Sequence, residues 1–266
     1  MSGRARFIML ALSLFSIAAS PSSGSATEEA GIVLLVPQLL PTWPMDDNQL
    51  IGIWVDLSKL AAARAQVTIA GIHIVPYARI FRDVPSGQNH CCPVIARTAG
   101  REKDYKWLAP TQRMIVSAFV LKDRANPPRT LGDLKNESVL AIRGILSAET
   151  RASLGLSADE VNTGDEAVRM LQRGRASAVV LGNVASWMAE RRGVALQEAV
   201  RLWEWPGYFA CSPILDAAIT RRLAEAIKQI FARGEDRAFA AADGLGDQYE
   251  RMRPVAVDPP PAAEDQ

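Results

Sequence analysis

Two polar residues three positions apart, Thr98 and Arg101, could hold an anion. They follow the apolar run Cys91 to Ile95, at a point where a strand ends and a helix could begin. Unpaired backbone N–H groups at such a point favour a negative group, and an arginine guanidinium grips a carboxylate through two parallel hydrogen bonds. The pattern therefore favours carboxylate recognition. A surface arginine in an ordinary loop is the alternative.

Recognisable metal-binding and catalytic motifs are missing from the sequence. The chain has two histidines, His73 and His90, and neither stands in a zinc-ligand spacing. His90 adjoins Cys91 and Cys92, but a Cys–His dyad needs a third, orienting group, and the sequence identifies none. There is no GxSxG elbow, P-loop or GxGxxG sequence. We therefore predict a protein that is not an enzyme and has no metal and no cofactor.

Residues 1–26 are predicted to be a secretory signal peptide. Arg4 and Arg6 precede the apolar run Phe7 to Ala19, and small residues ending in Gly24 to Ala26 follow. The run is short for a bilayer span, which needs about 20 apolar residues; a retained membrane anchor is the alternative. Removing this segment takes two arginines from 30 basic residues and leaves 28 against 29 acidic ones. This near-neutral balance predicts no nucleic-acid partner, and we expect a periplasmic protein.

Three cysteines, Cys91, Cys92 and Cys211, limit the possible disulfides to one. An oxidising compartment favours one bridge with one thiol left over. Neighbouring residues in a strand point to opposite faces, so only one of Cys91 and Cys92 can meet Cys211. The predicted pair is Cys92 with Cys211. Cys91 with Cys211 is the alternative, and three buried free thiols are a third reading.

The first half of the chain alternates strands and helices. Short apolar, β-branched runs predict buried strands, and apolar residues every three or four positions predict helices. In order, the predicted elements are strand Ile32 to Val36, helix Ile51 to Arg64, strand Val67 to Val75, helix Tyr77 to Val84 and strand Cys91 to Ile95. This order predicts parallel strands joined by right-handed crossovers.

A second alternating unit begins after the strand Met114 to Leu121, and the strand Trp205 to Cys211 leads back from it. We therefore divide the chain into residues 1–26 (signal peptide), 27–120 (first part of lobe 1), 121–207 (lobe 2), 208–253 (return to lobe 1 and C-terminal helices) and 254–266 (disordered tail). Ligands of such sheets bind beyond the carboxyl ends of the strands, so the cleft between the units is the expected site.

The segment Arg97 to Glu102 resembles the R-T-x-x-R-E motif of solute-binding family 3, the periplasmic proteins that deliver amino acids and similar solutes to ABC importers. Further stretches agree with that family in order and spacing: Gly52 to Leu57, Pro76 to Arg79, Thr130 to Gly144, Gly174 to Ala178 and Tyr208 to Ser212. The resemblance implies an α/β, two-lobed type 2 periplasmic-binding-protein fold, in which each lobe is a mostly parallel sheet flanked by helices and two hinge strands join the lobes. It also implies a monomer that closes around a small molecule, an organic acid or an amino-acid-like solute, and delivers it to an ABC permease.

The same resemblance implies the ligand-binding residues. Arg101 corresponds to the carboxylate clamp, with Thr98 as a nearby donor, and Arg143 and Ser147 correspond to the donors of the second lobe. Trp43 stands in the loop where the family places an aromatic ring against the ligand; a role in the core is the alternative.

Asn183 stands where family members that bind ordinary amino acids carry an acid for the α-ammonium group. Without that acid, a zwitterionic amino acid would lose about 1–3 kcal/mol or more of binding free energy. We therefore predict an acidic or neutral solute without a free α-ammonium, held by Arg101 and Arg143. The alternatives are an accessory or sensory periplasmic protein that binds a partner, and a small-molecule lyase or dehydratase on the same scaffold.

Overall fold

The computed structural model describes residues 31–38, 43–44, 50–146 and 148–254. The predicted signal peptide and, except for Pro254, the predicted tail lie outside these residues. The strands are β1 Ile32–Pro37, β2 Trp43–Pro44, β3 Leu50–Ile51, β4 Ile69–Val75, β5 His90–Ala96, β6 Lys106–Leu121, β7 Val139–Ile142, β8 Asp159–Val161, β9 Ala178–Gly182 and β10 Leu196–Cys211. The α-helices are α1 Ile53–Ala65, α2 Tyr77–Ser86, α3 Leu131–Leu134, α4 Ala148–Leu154, α5 Gly164–Gln172, α6 Asn183–Arg191, α7 Ala217–Arg233, α8 Asp236–Ala242 and α9 Gly246–Met252, and a 3₁₀ turn spans Ala99–Asp104.

Eight of the strands form one sheet in the order β4-β1-β5-β10-β6-β9-β7-β8. At one end β4, β1 and β5 are parallel, and at the other end β9, β7 and β8 are parallel. We call the first set, with α1, α2 and α7–α9, lobe 1, and the second set, with α3–α6, lobe 2. The antiparallel crossing strands β6 and β10 lie between them. The predicted α/β, two-lobed fold class is confirmed; the predicted lobe boundaries at residues 120 and 207 stay a prediction.

The crossing strands are longer than the sequence predicted. Each has 16 residues, and they pair with each other from Lys106 opposite Cys211 to Leu121 opposite Leu196. The sequence located only their C-terminal parts, because the N-terminal halves mix charged and apolar residues without a clean alternation. The β6–β10 register shifts at four places, and such irregularities bend and twist a strand pair.

Strands β7 and β9 of lobe 2 are buried on both faces. Along β7, Val139 and Ala141 belong to one hydrophobic core and Leu140 and Ile142 to another, on the opposite face of the sheet. The residues of β9 alternate between the same two cores. A strand covered on both faces has a continuous apolar sequence rather than an alternating one, as the apolar runs Val139 to Ile142 and Ala178 to Leu181 show.

Helix α7 covers the sheet of lobe 1. Its apolar stripe is buried in the main core of that lobe: Ile219, Leu223, Ile227 and Ile230. The Asp216 carboxylate accepts hydrogen bonds from the first backbone N–H groups of the helix, which fixes where the helix begins. Among the helices of the described ranges, none combines the length and the hydropathy needed to cross a bilayer.

The disulfide joins Cys91 to Cys211, so the predicted pair of Cys92 with Cys211 is wrong and the alternative is correct. The antiparallel register of β5 and β10 places Cys211 directly opposite Cys91. Both side chains lie in the main core of lobe 1, whereas Cys92 points to the other face of β5 and is a buried free cysteine. Alternation along a strand showed that only one of the neighbours could pair, and the register decided which.

We expect Cys91→Ala to lower the free energy of unfolding by about 2–5 kcal/mol, because it removes a bridge between residues far apart in sequence. Cys92→Ala, on the opposite face of the same strand, is the matched control and should retain the bridge. Thiol titration of denatured, unreduced protein should find one thiol in the wild type and none in Cys92→Ala. Three thiols in the wild type would contradict the assignment.

Candidate ligand-binding cavity

A cavity of about 490 Å³ lies where the two lobes and the crossing strands meet. Lobe 1 contributes Ala96 and residues 98–101, which follow β5, and lobe 2 contributes Gly144 and Ile145 after β7 and residues 182–185 at the end of β9. These are the carboxyl ends of parallel strands, where open α/β sheets bind ligands. The volume falls in the usual range of small-molecule sites.

The lobes touch each other beside this cavity. A Cβ atom added to Gly144 of lobe 2 would lie 3.2 Å from the Cα of Ala78 in lobe 1, and Gly144 has φ 89°. Ile145 packs against the cores of both lobes. Helix α6 of lobe 2 also reaches lobe 1, because Trp187 lies in the main core of that lobe. The two lobes are therefore in direct contact beside the cavity.

Arg101 lines the cavity, and no acidic group among the described residues pairs with it. Its Nη1 donates a hydrogen bond to the backbone carbonyl of Ala96 at 3.3 Å, and its Cζ lies 4.0 Å from the centroid of the Phe81 ring. The cation–π contact holds the guanidinium in place without neutralising it. Thr98 lines the same wall, and its hydroxyl makes no capping bond to the 3₁₀ turn that follows.

Arg97, in the same segment, has a different environment. Its guanidinium donates two hydrogen bonds to the Glu102 carboxylate, at 2.9 and 2.5 Å, and lies over the rings of Tyr208 and Trp107. The hydrogen bonds from Arg97 lower the pKa of Glu102. Arg97 is therefore a paired arginine outside the cavity, in contrast to Arg101.

Arg143 does not lie in the cavity wall, so the predicted convergence of Arg101 and Arg143 is not found. Its backbone N–H continues the ladder with β8 by donating to Val161 at 2.8 Å. Its side chain, 57% exposed, lies beside β8, with Nη1 3.4 Å from a carboxylate oxygen of Glu160. Glu160 also accepts a hydrogen bond from Arg151. The Arg143 side chain thus lies beside an acid of the neighbouring strand and not in the cavity wall.

Two further predicted site residues lie outside what the structure describes. Ser147 is not among the described residues, and of Trp43 only the backbone, in the two-residue strand β2, belongs to them. Their predicted roles stay predictions.

Asn183 lines the cavity and is buried. Its Nδ2 donates to the backbone carbonyl of Arg113 at 3.0 Å, and its Oδ1 accepts a hydrogen bond from Nε2 of Gln112 at 3.4 Å. Both ends of its amide are therefore used inside the protein. The structure brings Arg101, Thr98 and Asn183 to one cavity, where one donor and one acceptor of the Asn183 amide are already used inside the protein.

The sequence did not identify four of the larger wall residues: Tyr77, Gln112, Trp203 and Trp205. Trp203 and Trp205 stand two apart on β10, a spacing that places both on one face of a strand. This signal was missed because the strand was predicted to begin at Trp205. Tyr77 is buried at the start of α2; burial raises the pKa of its phenol, and the charge of Arg101 opposes the rise.

Arg101 is the single charged side chain among the described residues that line the cavity, and much of the remaining wall is apolar. A lone positive charge in such surroundings attracts an anion. The described wall contains no carboxylate or histidine that could act as a general acid or base. Within the described ranges, no group of three or more His, Cys, Asp or Glu residues could hold a metal ion.

No protein-family model matches the chain, and no curated protein matches it significantly. Solved structures do match. A histidine kinase sensor domain described as similar to periplasmic binding proteins has a TM-score of 0.70 and 19% identity, with 82% of this chain and 97% of that chain covered. An ancestral arginine-binding protein bound to arginine has a TM-score of 0.66 and 17% identity, covering 80% and 97% of the two chains. The substrate-binding protein of an amino acid ABC transporter has a TM-score of 0.64 and 16% identity, covering 79% and 96%. The chain therefore has the fold of periplasmic binding proteins, as its resemblance to solute-binding family 3 implied.

Proposed function

We propose that the protein binds a small carboxylate-bearing solute between its lobes and encloses it by closure. The observation that carries this proposal is Arg101, a partly buried guanidinium that is the single charge of the described cavity wall and has no acidic partner there. Holding a charge in apolar surroundings is costly unless an opposite charge pairs with it. A carboxylate supplies that charge and accepts two parallel hydrogen bonds.

The rest of the wall supports an acid with an apolar body and no ammonium group. Trp203, Trp205 and Met114 offer apolar and aromatic surface. The position of Asn183 holds an amide instead of an acid, and the described wall has no carboxylate that could pair with a cation. A carboxylate that also carries a cationic group, such as an ammonium, would therefore be poorly matched.

Closure would use the crossing strands as the hinge. Strand β10 is paired to β5 of lobe 1 through residues 207–211 and β6 to β9 of lobe 2 through residues 116–119, so the lobes are attached to different parts of the strand pair. A ligand that touches both lobes favours the closed form by its additional contacts there. Gly144 supports this mechanism because its small size lets lobe 2 approach α2 of lobe 1.

Export, delivery to an ABC permease and a monomeric state complete the proposal. The signal-peptide pattern in residues 1–26 supports export, and the match to an ABC transporter's substrate-binding protein supports delivery. A sensory role is the second candidate, favoured by the match to a histidine kinase sensor domain. A permease gene beside the gene for this chain would favour transport, and a sensor kinase gene would favour sensing.

We expect Arg101→Met to weaken the binding of carboxylates at least about a hundredfold, because it removes two charge-assisted hydrogen bonds. Methionine keeps an apolar side chain against Phe81. Calorimetry and thermal-shift measurements with aliphatic and aromatic monocarboxylates and dicarboxylates give the affinities. Arg97→Met is the matched control, since it removes an arginine from the same segment that is paired with Glu102 outside the cavity, and it should bind as the wild type does. Equal losses in the two variants would contradict the role of Arg101.

A second prediction concerns closure. Gly144→Ala should weaken carboxylate binding about tenfold or more, because the new Cβ would press against Ala78 when the lobes are closed. Gly174→Ala is the matched control: Gly174 also has a positive φ, 65°, but nothing lies within 4 Å of the added atom. Both substitutions carry a similar backbone strain of about 1–2 kcal/mol. Calorimetry should therefore show weaker binding in Gly144→Ala alone; similar affinities in the two variants would exclude the contact as part of closure.

A further inference from the structure

Gln112 has a buried acceptor atom without a partner. Its side chain lines the cavity from β6, the residue is 3% exposed, and its Oε1 makes no hydrogen bond within the described structure. The great majority of buried polar atoms in native proteins are hydrogen-bonded, and an unpaired one is costly. An unpaired acceptor in a cavity wall therefore points to a donor that the ligand brings.

The neighbouring amide of Asn183 determines which end of the Gln112 amide is free. A backbone carbonyl can only accept, so the contact at 3.0 Å between Asn183 and the Arg113 carbonyl identifies the Asn183 atom as Nδ2. Its Oδ1 then faces Gln112 and accepts from Nε2. Amide orientations are assigned from such partners, and this chain of bonds leaves Oε1 of Gln112 as the open acceptor.

The Gln112 amide can turn toward the cavity at low cost. Its one hydrogen bond, to Asn183, is long at 3.4 Å and therefore weak. The terminal torsion of a glutamine side chain also has a broad energy profile. A modest rotation thus brings Oε1 to face a ligand, while Asn183 remains anchored to the backbone of β6.

We propose that Gln112 is a further ligand-binding residue and that its Oε1 accepts a hydrogen bond from a neutral hydroxyl or amide N–H group of the bound carboxylate. This proposal rests on the proposed function, in which Arg101 holds the carboxylate. It narrows the ligand class to hydroxy acids and amido acids. The donor group of the ligand should be neutral, because the described wall has no acid that could balance a cationic group on the ligand. Before a ligand binds, Asn183 orients the Gln112 amide through its weak hydrogen bond.

The test compares ω-hydroxy carboxylates of increasing chain length with the alkanoates in which a methyl group replaces the hydroxyl. Calorimetry should find a chain length at which the wild type binds the hydroxy acid about tenfold tighter than its alkanoate. Gln112→Met, which removes the amide at similar volume, should bind the two alike and should bind the alkanoate as the wild type does. Gln112→Asn, with the acceptor drawn back by one methylene, is the second variant if the first does not fold.

The matched control is Gln197→Met. Gln197 lies on the other crossing strand, where its amide donates to the Leu121 carbonyl away from the cavity wall, and its loss should leave the tenfold preference unchanged. Alkanoate binding without a preference for the hydroxyl, or a preference that persists in Gln112→Met, would overturn this inference and leave the proposed function intact. Failure of every carboxylate to bind would overturn both.

Discussion

The antiparallel pairing of β6 with β10 is the contact on which both lobes depend. The parallel strands of lobe 1 join the sheet through β5 and β10, and those of lobe 2 join it through β9 and β6. The lobes therefore share a single strand pair, whose register shifts four times. The bridge between Cys91 and Cys211 fastens one end of this pair to β5. Because the two lobes are attached to different parts of this one strand pair, the pair is suited to act as a hinge.

The cavity beside this strand pair has one electrostatic feature, the guanidinium of Arg101. Phe81 and the Ala96 carbonyl hold it in position without supplying a negative charge. The contrast with Arg97, whose charge is matched by Glu102, shows that pairing an arginine with an acid is possible within the same segment. A site with one uncompensated positive charge and mainly apolar surroundings selects for an anion, and we attribute the proposed carboxylate preference to this imbalance.

Strands buried on both faces were predictable, because a short and continuous apolar run is typical of a strand that is covered on both sides. The crossing strands were predicted at half their length, since their N-terminal halves carry charged residues such as Arg113, which pairs with Glu204 across the two strands. The position of Arg101 beside the cavity was predictable because Arg101 follows a parallel strand, whereas the direction of the Arg143 side chain was not. Gln112 could not have been found, because its unpaired oxygen depends on the position of Asn183, far away in sequence.

A crystal structure of the protein with its tightest-binding carboxylate would show directly where the ligand lies relative to Arg101. We expect closed lobes, with the carboxylate between them and both of its oxygens within hydrogen-bond distance of the Arg101 guanidinium. A carboxylate bound outside the cavity, or inside it with Arg101 turned away, would rule out carboxylate recognition by Arg101.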